Sequence, residues 1–144
     1  MERRKVALAA DHAGFALKMQ LRDELIEQGY ETIDLGTDNE DSVDYPDFGR
    51  ALGEAVAGGE ADCGVIVCGT GIGISIAANR VAGVRAAVCH DVTSVRLARQ
   101  HNDANVLALG ARLIGSEVAR DCLRAFLETG FEGGRHARRV GKLG

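Results

Sequence analysis

The chain has 144 residues, 46% of them hydrophobic and 26% charged, with a formal charge of −4. That composition describes one folded domain around one core, and excludes a disordered chain or a two-domain enzyme. No apolar run approaches the roughly 20 residues of a membrane helix. An aromatic content of 4%, no Trp and a net negative charge leave neither the stacking platforms nor the basic surface that nucleic-acid binding uses.

The basic lead-in Met1–Lys5 is followed by an apolar stretch too short for a signal-peptide core before Asp11-His12 intervenes. Four cysteines (Cys63, Cys68, Cys89 and Cys122) include no CxxC pair, so the expectation is a cytoplasmic protein with reduced thiols. Charge is uneven along the chain. Residues 133–144 hold Arg135, Arg138, Arg139 and Lys142 and no acid, which makes them either a solvated tail or a small anion site.

In chain order, Lys5 to Ala10 reads as a buried strand, and Leu17, Leu21 and Leu25 at helical spacing lead to Gly29, a good helix terminator. Glu31 to Leu35 alternates as a strand does. An acidic loop with Asp38, Glu40, Asp41 and Asp44 then runs to Pro46, and Asp47 to Ala57 is helical. Cys63 to Cys68 is a short continuous apolar run, the mark of a buried parallel strand. After a glycine turn come a helix over Ile74–Val81, a strand over Val84–Cys89, a helix over Asp91–Gln100 and a strand over Val106–Leu109. Ser116 is placed to cap a last helix to Thr129. Gly133-Gly134 reads as a hinge that releases a basic tail.

Strands alternating with helices predict an α/β fold: a three-layer, doubly wound, Rossmann-like domain over residues 1–144, with five parallel strands in the order 2-1-3-4-5. In such sheets ligands bind beyond the carboxyl ends of the strands, at the switch point between strands 1 and 3. Asp11-His12 follows the first strand, and Cys68 ends the third.

The segment Cys68-Gly69-Thr70-Gly71-Ile72-Gly73 joins that strand to a helix, where backbone N–H groups and the helix dipole favour an anion. Its spacing is GxGxG, neither a Walker loop nor the dinucleotide GxGxxG. A thiol at a helix N-terminus is a candidate base or nucleophile, although buried cysteines are also ordinary core residues. Thr70 can face a developing oxyanion or cap the helix; Ser75 and Asn79 read as packing or backbone-bonding residues. Asp91, 20 residues after Gly71, is placed as the ribose-binding acid of an NAD site, but the intervening helix is too short for that unit. His12, His90 and His101 lie near predicted strand ends, where histidines suit acid–base work. No HExxH or i,i+4 ligand pair suggests a metal.

Taken together, Asp11-His12-Ala13-Gly14, Asp44-Tyr45-Pro46, Cys68 to Gly73, Ile76-Ala77-Ala78-Asn79, Arg99-Gln100-His101-Asn102-Asp103 and Gly133-Gly134-Arg135-His136 resemble the type B ribose-5-phosphate isomerases. The likeness runs in order from about Lys5 to Val140. It implies an aldose–ketose isomerase of the pentose phosphate pathway that needs no metal or cofactor and passes through an enediolate, with Cys68 as the proton-transferring base. It further implies that Thr70 and the amides of Gly69, Gly71, Ile72 and Gly73 hold the enediolate oxygens and that His101 assists furanose opening. In the same resemblance Asp11, His12, Tyr45, Asn102 and Arg112 contact the sugar and Arg135 and Arg139 the phosphate.

One branch of that family uses a Ser in place of the cysteine and a Glu in the loop helix as base; the Glu position here is Ile74, which favours Cys68. The resemblance also implies a homodimer or tetramer with active sites at the subunit interface, where His101, Asn102, Arg112, Arg135 and Arg139 reach a neighbour's Cys68. Substrates of four or six carbons, such as erythrulose 4-phosphate, allose 6-phosphate or galactose 6-phosphate, stay open. So does a phosphate- or nucleotide-binding module without catalysis. His90 and Arg138 have no assigned role.

Overall fold

In a computed structural model, which describes residues 5–144, three runs of small and β-branched residues form the sheet's interior. These are β1 (Lys5–Ala10), β3 (Cys63–Cys68) and β5 (Val106–Gly110). Both faces of these strands are covered, so their sequences carry no polar alternation. β2 (Glu31–Asp34) and β4 (Ala86–Val88) are short and only partly buried, as suits edges. The basic lead-in at residues 1–4 lies outside the described residues.

All pairings are parallel and the order is 2-1-3-5-4. The α/β doubly wound architecture is as expected, but the last two strands are exchanged relative to the predicted 2-1-3-4-5. The apolar Val106–Gly110 fills an interior slot that the three-residue β4 cannot. Asn79 closes the outer edge of β4, its side-chain amide donating to the Ala86 carbonyl (3.0 Å) and accepting from the Ala86 N–H (2.7 Å).

Right-handed crossovers then decide which face each helix covers. α2 (Tyr45–Ala57) and α3 (Ile72–Asn79) lie together on one face, over Ala7, Ala9, Ile66, Cys68 and Ala108. α1 (Phe15–Glu27), α4 (Val92–Asn102) and α5 (Ser116–Glu128) cover the other, over Val6, Leu8, Val65, Val67, Leu107 and Leu109. α4 begins at Asp91, whose carboxylate accepts from the Ser94 N–H at 2.6 Å. Asp91 is thus the cap of α4, a structural role that accounts for its place in the sequence. Ser116 is the first helical residue of α5, with Gly115 in the cap position.

The basic segment is not released. Gly133 and Gly134 take positive φ values of 69° and 57°, a reversal open to residues without a side chain. The chain turns there into α6 (Arg135–Gly141), which packs on α4. The predicted hinge is a fixed corner.

One buried charge organises the switch point. Lys18 on α1 is fully buried, and its ammonium donates to Asp34 Oδ1 and to the Thr37 carbonyl, each at 2.6 Å. Gly36 and Thr37 in turn exchange backbone bonds with Ala10 (2.8 Å each), so α1, β2 and the start of the acidic loop are fastened to the end of β1. Burial alone would raise the Asp34 pKa, but the Lys18 and Gly36 hydrogen bonds and the charges of Lys18 and Arg22 outweigh it and hold the carboxyl below 3.8.

Removing one partner of a buried pair leaves the other uncompensated, so Lys18→Ala should lose about 3–5 kcal/mol of stability in urea unfolding. Because Asp34 has a lower pKa folded than unfolded, its contribution is complete above the unfolded value and drains away as pH falls. The wild-type urea midpoint should therefore drop below about pH 4 more steeply than that of Lys18→Ala. Equal acid slopes would separate Asp34 from this bond.

Candidate active site

The parallel register sets the carboxyl ends of β1, β3 and β5 side by side, with Ala10 opposite Val67 and Cys68 opposite Gly110. The turns leaving these three strands therefore meet at one edge of the sheet. Cys68 is the last residue of β3, its side chain on the α2–α3 face and 5% exposed. The Gly71 N–H donates to its Sγ at 3.1 Å. Gly71 itself sits at φ 79°, where a Cβ would fall 2.9 Å from the Leu109 carbonyl carbon, so the turn over Cys68 is restricted to glycine.

The rest of the loop is divided between structure and free donors. Thr70 Oγ1 accepts from the Ile72 N–H at 3.2 Å and so caps the helix entry, while its own O–H stays available. The Ser75 N–H reaches the Gly71 carbonyl, which starts α3, so the Gly73 and Ile74 amides precede the first intrahelical bond. Ser75 Oγ donates to the Ile72 carbonyl, the backbone-bonding role expected of it. Ile74 is wholly buried in the core.

Around this loop stand residues from three other elements. Asp11, 7% exposed at the end of β1, accepts from the Gly14 N–H through Oδ1 at 3.0 Å. His12 Nδ1 accepts from the Val43 N–H at 3.2 Å, which places the proton of the neutral ring on Nε2. Tyr45, the first residue of α2, lies against Gly73, where an added Cβ would come 2.5 Å from its ring. Arg112 follows β5. Its N–H donates to the Gly69 carbonyl at 3.0 Å, and its guanidinium borders Gly69, 3.3 Å from where a Cβ would stand. Arg112 therefore stands beside the Cys68 loop of its own chain, because the turn after β5 bonds directly to the turn after β3.

The other predicted site residues lie elsewhere. His101 and Asn102 end α4, and helices of this fold run against the strands. That puts them at the amino edge of the sheet, where Asn102 shares a cavity wall with Asn79, Val84 and Arg85. A strand's length separates them from Cys68. His101, Asn102, His136 and Arg139 border a 290 Å³ cavity there, and Arg135 is exposed at the start of α6. His101 thus lies just before β5, at the opposite end of the sheet from Asp11, His12 and Cys68.

His136 is the residue to which the sequence attaches no role. Its ring stacks on His101 with centroids 4.4 Å apart and planes 11° from parallel. Burial, then the neighbouring His101 and Arg135, hold its imidazole below the ordinary pKa of 6.5, against the pull of Glu132. Only the ordered motif Gly133-Gly134-Arg135-His136 marks this position in the sequence. His90, after β4, has a buried Nε2 that makes no hydrogen bond.

The geometry has clear counterparts among known proteins. Residues 6–143 match the family model described as Ribose/Galactose Isomerase. Ribose-5-phosphate isomerase B of Escherichia coli is 50% identical over 137 residues, covering 95% of this chain and 92% of that protein. D-erythrulose-4-phosphate isomerase of Pectobacterium atrosepticum is 43% identical over 141 residues, covering 96% and 92%. The solved structure of Clostridium thermocellum ribose-5-phosphate isomerase B superposes with a TM-score of 0.97 at 54% identity, over 97% of this chain and 95% of that one. With likeness at this level along nearly its whole length, in sequence and in fold alike, the chain belongs to the ribose/galactose isomerase family.

Proposed function

We propose that the chain interconverts ribose 5-phosphate and ribulose 5-phosphate through a cis-enediolate, with Cys68 as base. The observation that carries this reading is the Cys68 sulfur itself. It ends the central strand, accepts a hydrogen bond from Gly71, and lies beside a turn with unspent N–H and O–H donors. One base that takes the C2 proton and returns it to C1 works from one face of the sugar, which is what makes the enediolate cis. As the C2 proton leaves, negative charge develops on O1 and O2; the Thr70 hydroxyl and the loop amides are the donors that meet it. The hydroxyl proton of O2 ends on O1. No net oxidation occurs, so side chains and backbone suffice for the chemistry.

Asp11, His12, Tyr45 and Arg112 contact the sugar from the same chain. His101, which in this reading opens the furanose ring, lies at the other end of the sheet with Asn102, Arg135 and Arg139. A complete site therefore requires a second copy, whose His101 and arginines meet this chain's Cys68. A two-fold dimer forms two such sites. Arg135 and Arg139 then clamp the phosphate, an anion that guanidinium groups bind through paired hydrogen bonds. Sugar phosphates do not cross membranes unaided, which fits a reaction in the cytoplasm, within the pentose phosphate pathway. A four-carbon substrate is the second reading, favoured by the 43% identical erythrulose-4-phosphate isomerase. Such a sugar cannot close a furanose ring through its phosphorylated end, and its turnover would not need His101.

Ketose formation from ribose 5-phosphate should fall about 10³-fold in Cys68→Ala with inhibition by inorganic phosphate retained. Mixing Cys68→Ala with His101→Asn, after dissociation and reassociation, should restore about a quarter of wild-type activity. Half of the dimers are then mixed, and each has one intact site. No recovery would mean that each chain completes its own site. Arg139→Ala should raise KM by roughly 10- to 100-fold, the worth of a charged hydrogen bond, with a smaller effect on kcat.

A further inference from the structure

We infer that His136, held by its burial against α4, is a positioning residue for His101: its ring is the fixed plane that sets the angle of the His101 imidazole. The inference rests on the proposed role of His101 in ring opening. His101 is the next-to-last residue of α4, partly exposed on the rim of the 290 Å³ cavity. A side chain at a helix end has little of its own helix to define its ring rotation. Proton transfer to or from a furanose oxygen nevertheless needs that ring in one orientation, and a displacement of about 1 Å can cost about 10²-fold in rate.

The structure supplies the missing constraint from α6. The two rings stack at 4.4 Å with an 11° interplanar angle. His136 is itself 7% exposed and thus fixed on its far side. Two backbone bonds lock the pair in register. The Glu132 N–H donates to the Gln100 carbonyl at 3.1 Å, one residue before His101, and the His136 N–H donates to the Gly133 carbonyl at 3.0 Å. The left-handed Gly133 and Gly134 make that short return possible. His136 Nε2 is buried without a hydrogen bond, and Glu132 Oε1 stands 3.6 Å from it, beyond hydrogen-bond reach, so burial and the stack hold the ring.

The lowered pKa of His136 fits this division of labour, since the supporting ring stays neutral beside the one that exchanges protons. His101, Glu132 and His136 also bring their ligand-type atoms within 4.8 Å of one another. The in-plane lone pairs of two stacked imidazoles, however, lie in nearly parallel planes that a single ion does not meet head-on. The trio is built to hold a ring.

The test compares His136→Ala, His136→Phe, His136→Leu and His101→Asn on ribose 5-phosphate, with inorganic phosphate as a competitive inhibitor that reports on Arg135 and Arg139. His136→Ala should lower kcat about 10- to 100-fold while phosphate inhibition stays unchanged, and His136→Phe, which keeps the flat ring, should recover most of it. Equal losses in Ala and Phe would overturn the stacking role, as would a loss confined to KM and phosphate affinity, the signature of a disturbed α6. Should His136→Ala fail to fold, a kcat lower in His136→Leu, which fills the space without a flat ring, than in His136→Phe supports the inference, and equal kcat in the two overturns it. A wild-type rate in His101→Asn would instead defeat the ring-opening role on which it rests. Loss in His101→Asn beside a wild-type rate in His136→Ala defeats the positioning role alone.

Discussion

Every strand of this sheet runs the same way, and that one constraint governs where chemistry can be placed. Parallel strands carry all their outgoing turns to one edge, and the returning helices carry all their ends to the other. β3 spans six residues, and at about 3.3 Å per residue the two edges lie on the order of 20 Å apart. Cys68 is built at the first edge and His101 at the second. No side-chain rotation closes that gap within one chain. The proposed reaction, which needs both, would therefore have to be assembled between copies.

The first edge was largely legible. Unbroken apolar runs at Lys5–Ala10 and Cys63–Cys68 can only be strands covered on both sides, and a glycine turn leaving such a strand can only lie at its carboxyl end. The loop's geometry adds what spacing does not contain. The Gly71 N–H is spent on the sulfur and the Ile72 N–H on Thr70, so these two amides of the expected set are engaged within the chain. Lys18 was not legible at all. It falls on the buried stripe of α1 between Leu17 and Leu21, and nothing in that pattern announces that Asp34 and the Thr37 carbonyl lie within reach of its ammonium.

What sequence reasoning missed has a common physical origin, because local patterns carry no information on crossover length. Val84–Cys89 reads as well as Val106–Leu109 for a place beside β3. The decision is made by how much apolar surface each offers to both helix layers, and β4 offers three half-buried residues. The exchange of β4 and β5 is what brings the turn carrying Arg112 against Gly69. The same blindness affects the basic segment. Twelve residues with four cations and two adjacent glycines look like a tail until the left-handed Gly133-Gly134 corner folds them onto α4.

In the proposed reaction the division between edges would also leave substrate length to be set by more than one chain. In the proposed reaction C1 and C2 lie at Cys68, while the phosphate lies with Arg135 and Arg139 of the other copy. The distance between those anchors is then set by how two chains dock, and no pocket wall measures it. A small change in docking angle would shift the phosphate clamp relative to the base and suit a longer or shorter sugar without altering Cys68, Thr70 or the arginines. An erythrulose-4-phosphate isomerase and a ribose-5-phosphate isomerase B can accordingly stand at 43% and 50% identity to one chain. What distinguishes substrates that close a ring from those that cannot is the demand on His101. For that reason the stacked His101–His136 pair, more than the glycine loop, is the part of the molecule that a change from five-carbon to four-carbon substrates would release from constraint.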